Sequence, residues 1–413
     1  MQHLNHFILF VFVNLETSTS FLSTLALGEY LTFVHHPTGV NVKSSARQRD
    51  SSIYMSSTVP AIIDDNDSGE NDELHYNEGP LKITSPLKFV GPYPTIPLHF
   101  PNLSTSSQRE RDISGISLDF LLDTGANTNT INAQVATELS LDSIGAALPG
   151  YNTGGTMDGG TTFLLGDCTL DVPEKKKELF MKELSASALP IASPTGAGLL
   201  GSAFLNCFQG GVKFNWYGSD SDESATVVFY GDEDGMDGDI SGMTRVPIHI
   251  IEDVLLPSVT LIINGKEIPA LLDTGSPITV LNAAAANFVE LDTIQLPKED
   301  DNNQSNPFKK LADNFKNANA LANAASKGDV LMIAGAGGPV QLLRSNDVVD
   351  LRLKGDDNDD VSFSENKIYV GDLPGLAALG GLSGISSPPA AVLGMDVLKR
   401  KPSMLYRMNE VYF

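Results

Sequence analysis

The 413-residue chain carries 51 acidic against 27 basic residues, a net charge of −24. That balance argues against a nucleic-acid partner, because no Lys/Arg-rich stripe is present to neutralise phosphates. Its length accommodates two ordinary domains plus a tail, and abundant Gly (37) and Pro (23) favour short strands and tight turns over long helices. Two cysteines, Cys168 and Cys207, make neither a disulfide framework nor a zinc-ligand spacing. Two buried free thiols are expected rather than a single bridge, and no metal or other cofactor is called for.

Residues 1–28 begin with the apolar run Phe7–Val13, interrupted at Asn14 and Glu16. The run is too short to span a bilayer. It reads either as a secretory targeting segment or as a ragged N-terminus, since no Lys or Arg precedes it. Residues 29–80 are polar and include the acidic stretch DDNDSGENDE, the composition of a disordered linker or of a removable pro-segment.

Order is expected from residue 81. Pro94–Phe100 and Ile113–Leu122 read as two strands joined by a polar loop, the second delivering Asp123 at its end. Asp123 opens Asp123-Thr124-Gly125, and a Gly-rich segment from Tyr151 through Gly154 and Gly155 to Gly160 reads as a hairpin tip. Leu199-Leu200-Gly201, a short helix and a hairpin about Val212–Tyr217 and Thr226–Tyr230 complete this first unit, 81–230.

Residues 231–242, GDEDGMDGDISG, are the natural linker to a second unit, 243–413, that repeats the plan. Val259–Ile263 and Glu267–Leu272 flank Asn264-Gly265, a dipeptide strongly favoured in two-residue hairpin turns. The latter strand delivers Asp273-Thr274-Gly275-Ser276. A Gly-rich hairpin tip follows at Gly337-Gly338, then Val392-Leu393-Gly394, a short helix and a last hairpin. An Asn/Asp/Lys/Ala-rich insertion, 291–327, is read as a solvated loop or a surface helix.

Leu121–Ala133 and Leu271–Ala283 match at Leu, Leu, Asp, Thr, Gly, Asn and Ala at one constant offset of 150 residues. An Asp-Thr-Gly triplet arises by chance roughly 0.1 times in such a chain. A single copy would be read as a tight turn. Two in register describe a duplicated unit with one Asp per half. Two carboxyl groups brought together cannot both ionise cheaply, so they share a proton. The ionised member can then take a proton from water while the protonated one donates to a carbonyl oxygen, the machinery of peptide hydrolysis without a covalent intermediate.

With these motifs the chain resembles the aspartic proteases of the pepsin and retropepsin kind, over about 320 of its residues. The resemblance implies a mainly β, bilobal fold of two related barrel-like lobes, with the active site in the cleft between them. It implies an endopeptidase with Asp123 and Asp273 as the catalytic pair and a protein or peptide as substrate. One chain supplies both half-sites, an internal pseudo-dimer, so a monomer suffices. Thr124 and Thr274 would bond across the interface, Gly125 and Gly275 would let backbone N–H groups approach the carboxylates, and Ser276 would offer its hydroxyl to Asp273. Leu200-Gly201 and Leu393-Gly394 would pack beneath the loops. The segment Tyr151–Gly160 corresponds to the flap over the cleft, with Gly337 and Gly338 its counterpart in the second half. Tyr151 lies closer to Asp123 in sequence than the family's flap tyrosine, so it is read as a substrate contact or as a packed aromatic. The competing reading is a non-catalytic peptide-binding or scaffold protein on the same fold.

Overall fold

In the computed structural model, residues 61–63 and 82–413 are described, except 112, 148–149, 153–154, 158–159, 171–177, 190–195, 218–223, 295–319, 336–337, 357–358 and 381–387. The targeting-segment reading, Gly154, Gly337 and the middle of the insertion therefore lie outside the described residues.

The first half runs through β1 (Ala61–Ile63), β2 (Lys82–Pro86), β3 (Lys88–Val90), β4 (Tyr93–Phe100), β5 (Ile116–Leu122), β6 (Thr130–Asn132) and β7 (Asp142–Ala146). It continues through β8 (Gly150–Asn152), β9 (Gly155–Met157), β10 (Thr161–Leu170), β11 (Glu178–Leu189), β12 (Gly198–Leu200), β13 (Gly211–Asn215) and β14 (Thr226–Tyr230). The second half begins with β15 (Arg245–Pro247), β16 (His249–Ile251), β17 (Leu256–Ile263), β18 (Lys266–Leu272), β19 (Val280–Leu281), β20 (Val330–Gly335) and β21 (Gly338–Arg344). It closes with β22 (Val349–Leu353), β23 (Val361–Asn366), β24 (Tyr369–Val370), β25 (Ala391–Leu393), β26 (Ser403–Arg407) and β27 (Glu410–Tyr412).

Each half builds its own sheet, in the order β1-β11-β6-β12-β5-β4-β10-β7 and β20-β21-β24-β19-β25-β18-β17-β22-β23. The duplication read in the sequence is a duplication of pairing. β5 lies between antiparallel β4 and parallel β12, and β12 is antiparallel to β6; β18, β17, β25 and β19 repeat the arrangement. Strands at the centre of such sheets are covered on both faces. β4 and β17 are accordingly buried nearly throughout, whereas β22 alternates buried and exposed residues. Asn264 (φ 52°) and Gly265 (φ 73°) form the β17–β18 turn, in the left-handed conformation that a type I′ hairpin requires at both positions.

A third sheet, β15-β27-β26-β13-β14-β2, joins the halves. Its central pair is β13 against β26, with Val212 opposite Tyr406 and Phe214 opposite Met404. Strands of the first half lie on one side of that pair and strands of the second half on the other, so a pseudo-two-fold axis passes between them. Buried Phe214, Trp216, Leu272, Val259, Met404 and Leu122 belong to one continuous hydrophobic cluster across the halves. Apolar burial of this kind is the dominant favourable term in folding, at about 25 cal/mol per Å².

Several expectations are corrected. Ala61–Ile63, inside the stretch read as disordered, pair with Phe180, Leu179 and Glu178 of β11 and extend the first sheet. A capped helix, Ser106–Arg109, occupies the loop between β4 and β5. The insertion, by contrast, ends as one of its two readings had it, in a half-exposed helix at 320–326. Both cysteines are free, Cys168 buried but Cys207 only partly so, its thiol donating to the Ala203 carbonyl over 3.3 Å.

Candidate active site

Each triplet begins where a central strand ends. Asp123 N–H donates to the Leu200 carbonyl (3.0 Å) and Asp273 N–H to that of Leu393 (3.1 Å), so each loop hangs from the apolar-apolar-Gly strand beside it. Gly201 N–H is held by the Asn129 side chain and Gly394 N–H by the Thr279 hydroxyl, both at 3.1 Å. These two supporting side chains occupy equivalent places in the repeat, each the fourth residue after its triplet. Thr279 also donates to Asp396 (2.8 Å), whose carboxyl is raised above its usual range chiefly by burial.

Between the loops the two threonines form a symmetric clamp. Thr124 N–H donates to Thr274 Oγ1 and Thr274 N–H to Thr124 Oγ1, each over 3.0 Å. Thr124 Oγ1 donates to the Leu272 carbonyl (2.7 Å) and Thr274 Oγ1 to that of Leu122 (2.8 Å). Both threonines are fully buried. Thr124→Val would leave the Leu272 carbonyl and the Thr274 N–H buried without partners, each worth about 1–3 kcal/mol. We expect that variant to lose about 3 kcal/mol in denaturant unfolding, and Thr124→Ser to stay within about 1 kcal/mol of the parent.

The clamp sets the two carboxyl groups face to face. Asp123 and Asp273 are only 7% and 2% exposed, and their side chains lie within hydrogen-bond reach of one another. Gly125 N–H donates to Asp123 and Gly275 N–H to Asp273, each over 2.8 Å. A Cβ on Gly125 would stand inside 3.0 Å of the Asp273 carboxyl, and one on Gly275 inside 3.0 Å of that of Asp123. Glycine is thus required at both positions by close approach. Burial, then the charge of Asp273 and the hydrogen bond to it, hold the Asp123 carboxyl well above the usual carboxylate range, against the opposing pull of the two glycine N–H groups.

The fold is that of a bilobal acid protease. Two related lobes, a shared sheet and one Asp-Thr-Gly loop from each lobe meeting at the seam decide it. No family model matches the chain, and no curated protein matches it either. Among solved structures it is similar to conglutin gamma, a basic 7S globulin from lupine seeds, at 11% identity over 81% of this chain and 95% of that one, with a TM-score of 0.41. It is also similar to an aspartic proteinase from Irpex lacteus, at 12% identity over 77% and 96% of the two chains (TM-score 0.38). A retropepsin-like aspartic protease from Rickettsia conorii covers 37% of this chain with 92% of its own, at 16% identity and a TM-score of 0.21.

The remaining sequence-predicted residues divide. Tyr151 lies in the β8–β9 hairpin, where its backbone exchanges hydrogen bonds with Asn127 of the first triplet loop (2.9 and 3.3 Å). Its ring packs on a second-lobe cluster that includes Leu256, Ile333 and Leu376, and its hydroxyl donates to the Gly375 carbonyl (3.3 Å). Gly155 approaches Pro374 of the same second-lobe segment. The hairpin therefore rests across the cleft. Gly338 opens β21, paired with Gly335 at the tip of the corresponding second-lobe hairpin. Ser276 departs from expectation: its hydroxyl donates to the Ile278 carbonyl (2.8 Å), two residues along its own loop.

Sequence reasoning missed Asn127, which also donates to the Val254 carbonyl across the lobes (3.0 Å). The available signal was the divergence of the repeats, since the equivalent residue is Pro277. It also missed Tyr93, buried at the head of β4, and Asp396 behind the second loop.

Proposed function

We propose that the chain is an aspartic-type endopeptidase acting on protein or peptide substrates, with Asp123 and Asp273 as its catalytic pair. The observation that carries this reading is the pair itself: two buried carboxyl groups in contact, approached by glycine N–H donors and fixed by a threonine clamp. Such a pair favours a single shared proton. The ionised carboxylate takes a proton from a bound water as its oxygen attacks the peptide carbonyl carbon. The protonated partner gives its proton to the carbonyl oxygen, forming a neutral gem-diol. When the C–N bond breaks, the amine nitrogen leaves with a proton returned through the pair, and the shared proton is restored. Thr124, Gly125, Thr274 and Gly275 hold the carboxyl groups and do not react. The hairpin carrying Tyr151, Gly154 and Gly155 serves as the flap; its contact with Pro374 and Gly375 must open for a peptide to enter.

One chain supplies both aspartates, so a monomer is sufficient. The deciding experiment is cleavage of an unstructured protein substrate by the monomer across acidic pH, with and without a statine-type transition-state mimic. Inhibitable cleavage is the expected result. Binding of the mimic without cleavage at any pH would select a peptide-binding protein instead.

A further inference from the structure

Tyr93 belongs to neither triplet, yet it stands beside the pair. The β4–β5 register sets Thr95 opposite Leu121. One alternation further, on the same face of β4, Tyr93 comes opposite Asp123. The β17–β18 register sets Ser258 opposite Leu271, and the same step brings Leu256 opposite Asp273. The pseudo-two-fold arrangement thus places a phenol on one side of the pair and an aliphatic side chain on the other. Both are buried, Tyr93 at 8% exposure and Leu256 at 0%. Thr95 Oγ1 donates to the Tyr93 carbonyl (3.3 Å), but the Tyr93 hydroxyl makes no hydrogen bond among the described residues. The charged groups acting on the phenol are Asp273 and, less strongly, Asp123; together with burial, the largest cause, they keep its proton in place. A phenol that does not ionise presents an O–H dipole that can turn toward two carboxyl groups sharing one charge.

We propose that Tyr93 is a positioning residue that makes the two sides of the pair inequivalent, its O–H stabilising the single negative charge that the two carboxyl groups share. This rests on the reading of Asp123 and Asp273 as a proton-sharing catalytic pair. Leu256, lacking a donor, offers nothing equivalent from the other side.

Tyr93→Phe keeps the ring and deletes the O–H. Without that dipole the singly charged pair is less stable relative to the neutral pair, so its first deprotonation moves to higher pH. We expect the acid limb of the kcat/KM profile to rise by about one pH unit, with KM and the melting temperature unchanged. The same displacement is expected in the carboxyl 13C titration of aspartate-labelled full-length protein, whose pair signals are identified by their loss in Asp123→Asn. That titration needs no turnover. Tyr93→Leu, which copies the other side of the pair, should move it in the same direction. An unmoved titration in both variants overturns the proposal, as does a melting-temperature loss without a pH shift, which would make Tyr93 merely a packing residue. If the wild-type protein does not cleave peptides but the titration shifts, the endopeptidase reading fails and the Tyr93 assignment stands. Cleavage with an unmoved limb gives the reverse.

Discussion

Asp123→Asn and Asp273→Asn are each expected to lower kcat/KM by at least about 10³-fold while leaving the molecule folded. Either substitution removes a member of the pair, so no arrangement of one proton can supply both an acceptor for water and a donor to the carbonyl. The asparagine is nearly isosteric and its amide can still meet the glycine N–H donors, so the loops keep their shape. A second readout separates this account from simple loss of packing. The Asp123 carboxyl is held above its usual range in the folded protein, so the folded state keeps its proton where the unfolded chain has released it. Stability from this group is fully present below the unfolded carboxyl value, near 4. It is lost as pH rises from there through the raised folded value. Asp123→Asn cannot ionise and escapes that loss. Its melting temperature should match the parent near pH 3 and exceed it by a few degrees at pH 7, as thermal melts across that range will show. Substantial cleavage by either variant would remove the pair from the mechanism.

The two triplet loops were legible because their pattern is local and doubled. A triplet behind an apolar strand, repeated in register with an apolar-apolar-Gly segment downstream, specifies both the strand ends and their support. What joins the halves was not legible. The pairing of Val212 with Tyr406 is set by burial across the whole molecule, and neither β13 nor β26 carries a local sign of its neighbour. Tyr93 was lost by a single residue, because the strand was read from Pro94 onward and its register against β5 emerges only from the structure. Tyr151 was found by its glycines, yet its landing on Gly375 depends on a second-lobe segment with no periodic pattern. Ser276 shows the opposite failure. A hydroxyl next to an aspartate invites a bond between them, but a carbonyl two residues along its own loop takes it. Ala61–Ile63 were hidden by polar surroundings, for three residues added to an open sheet edge need almost no hydrophobic signature.

Gly125→Ala and Gly275→Ala should be as damaging to activity as loss of an aspartate, and damaging to the fold as well. The added methyl of Gly125→Ala falls within 3.0 Å of the Asp273 carboxyl, which the Gly275 N–H bond pins in place, so it cannot swing aside without giving up that bond. Overpacking of this kind costs about 1–3 kcal/mol, and the two carboxyl groups are driven apart in relieving it. We expect kcat/KM to fall at least about 10³-fold and the melting temperature to drop at every pH, unlike the pH-dependent gain of Asp123→Asn. A double-mutant cycle identifies the cause. In an Asp273→Ala background the carboxyl that the methyl strikes is absent, so Gly125→Ala should destabilise by at least about 1 kcal/mol less than it does in the parent. Equal losses in the two backgrounds would mean that the glycine is required by its own loop and not by the facing aspartate.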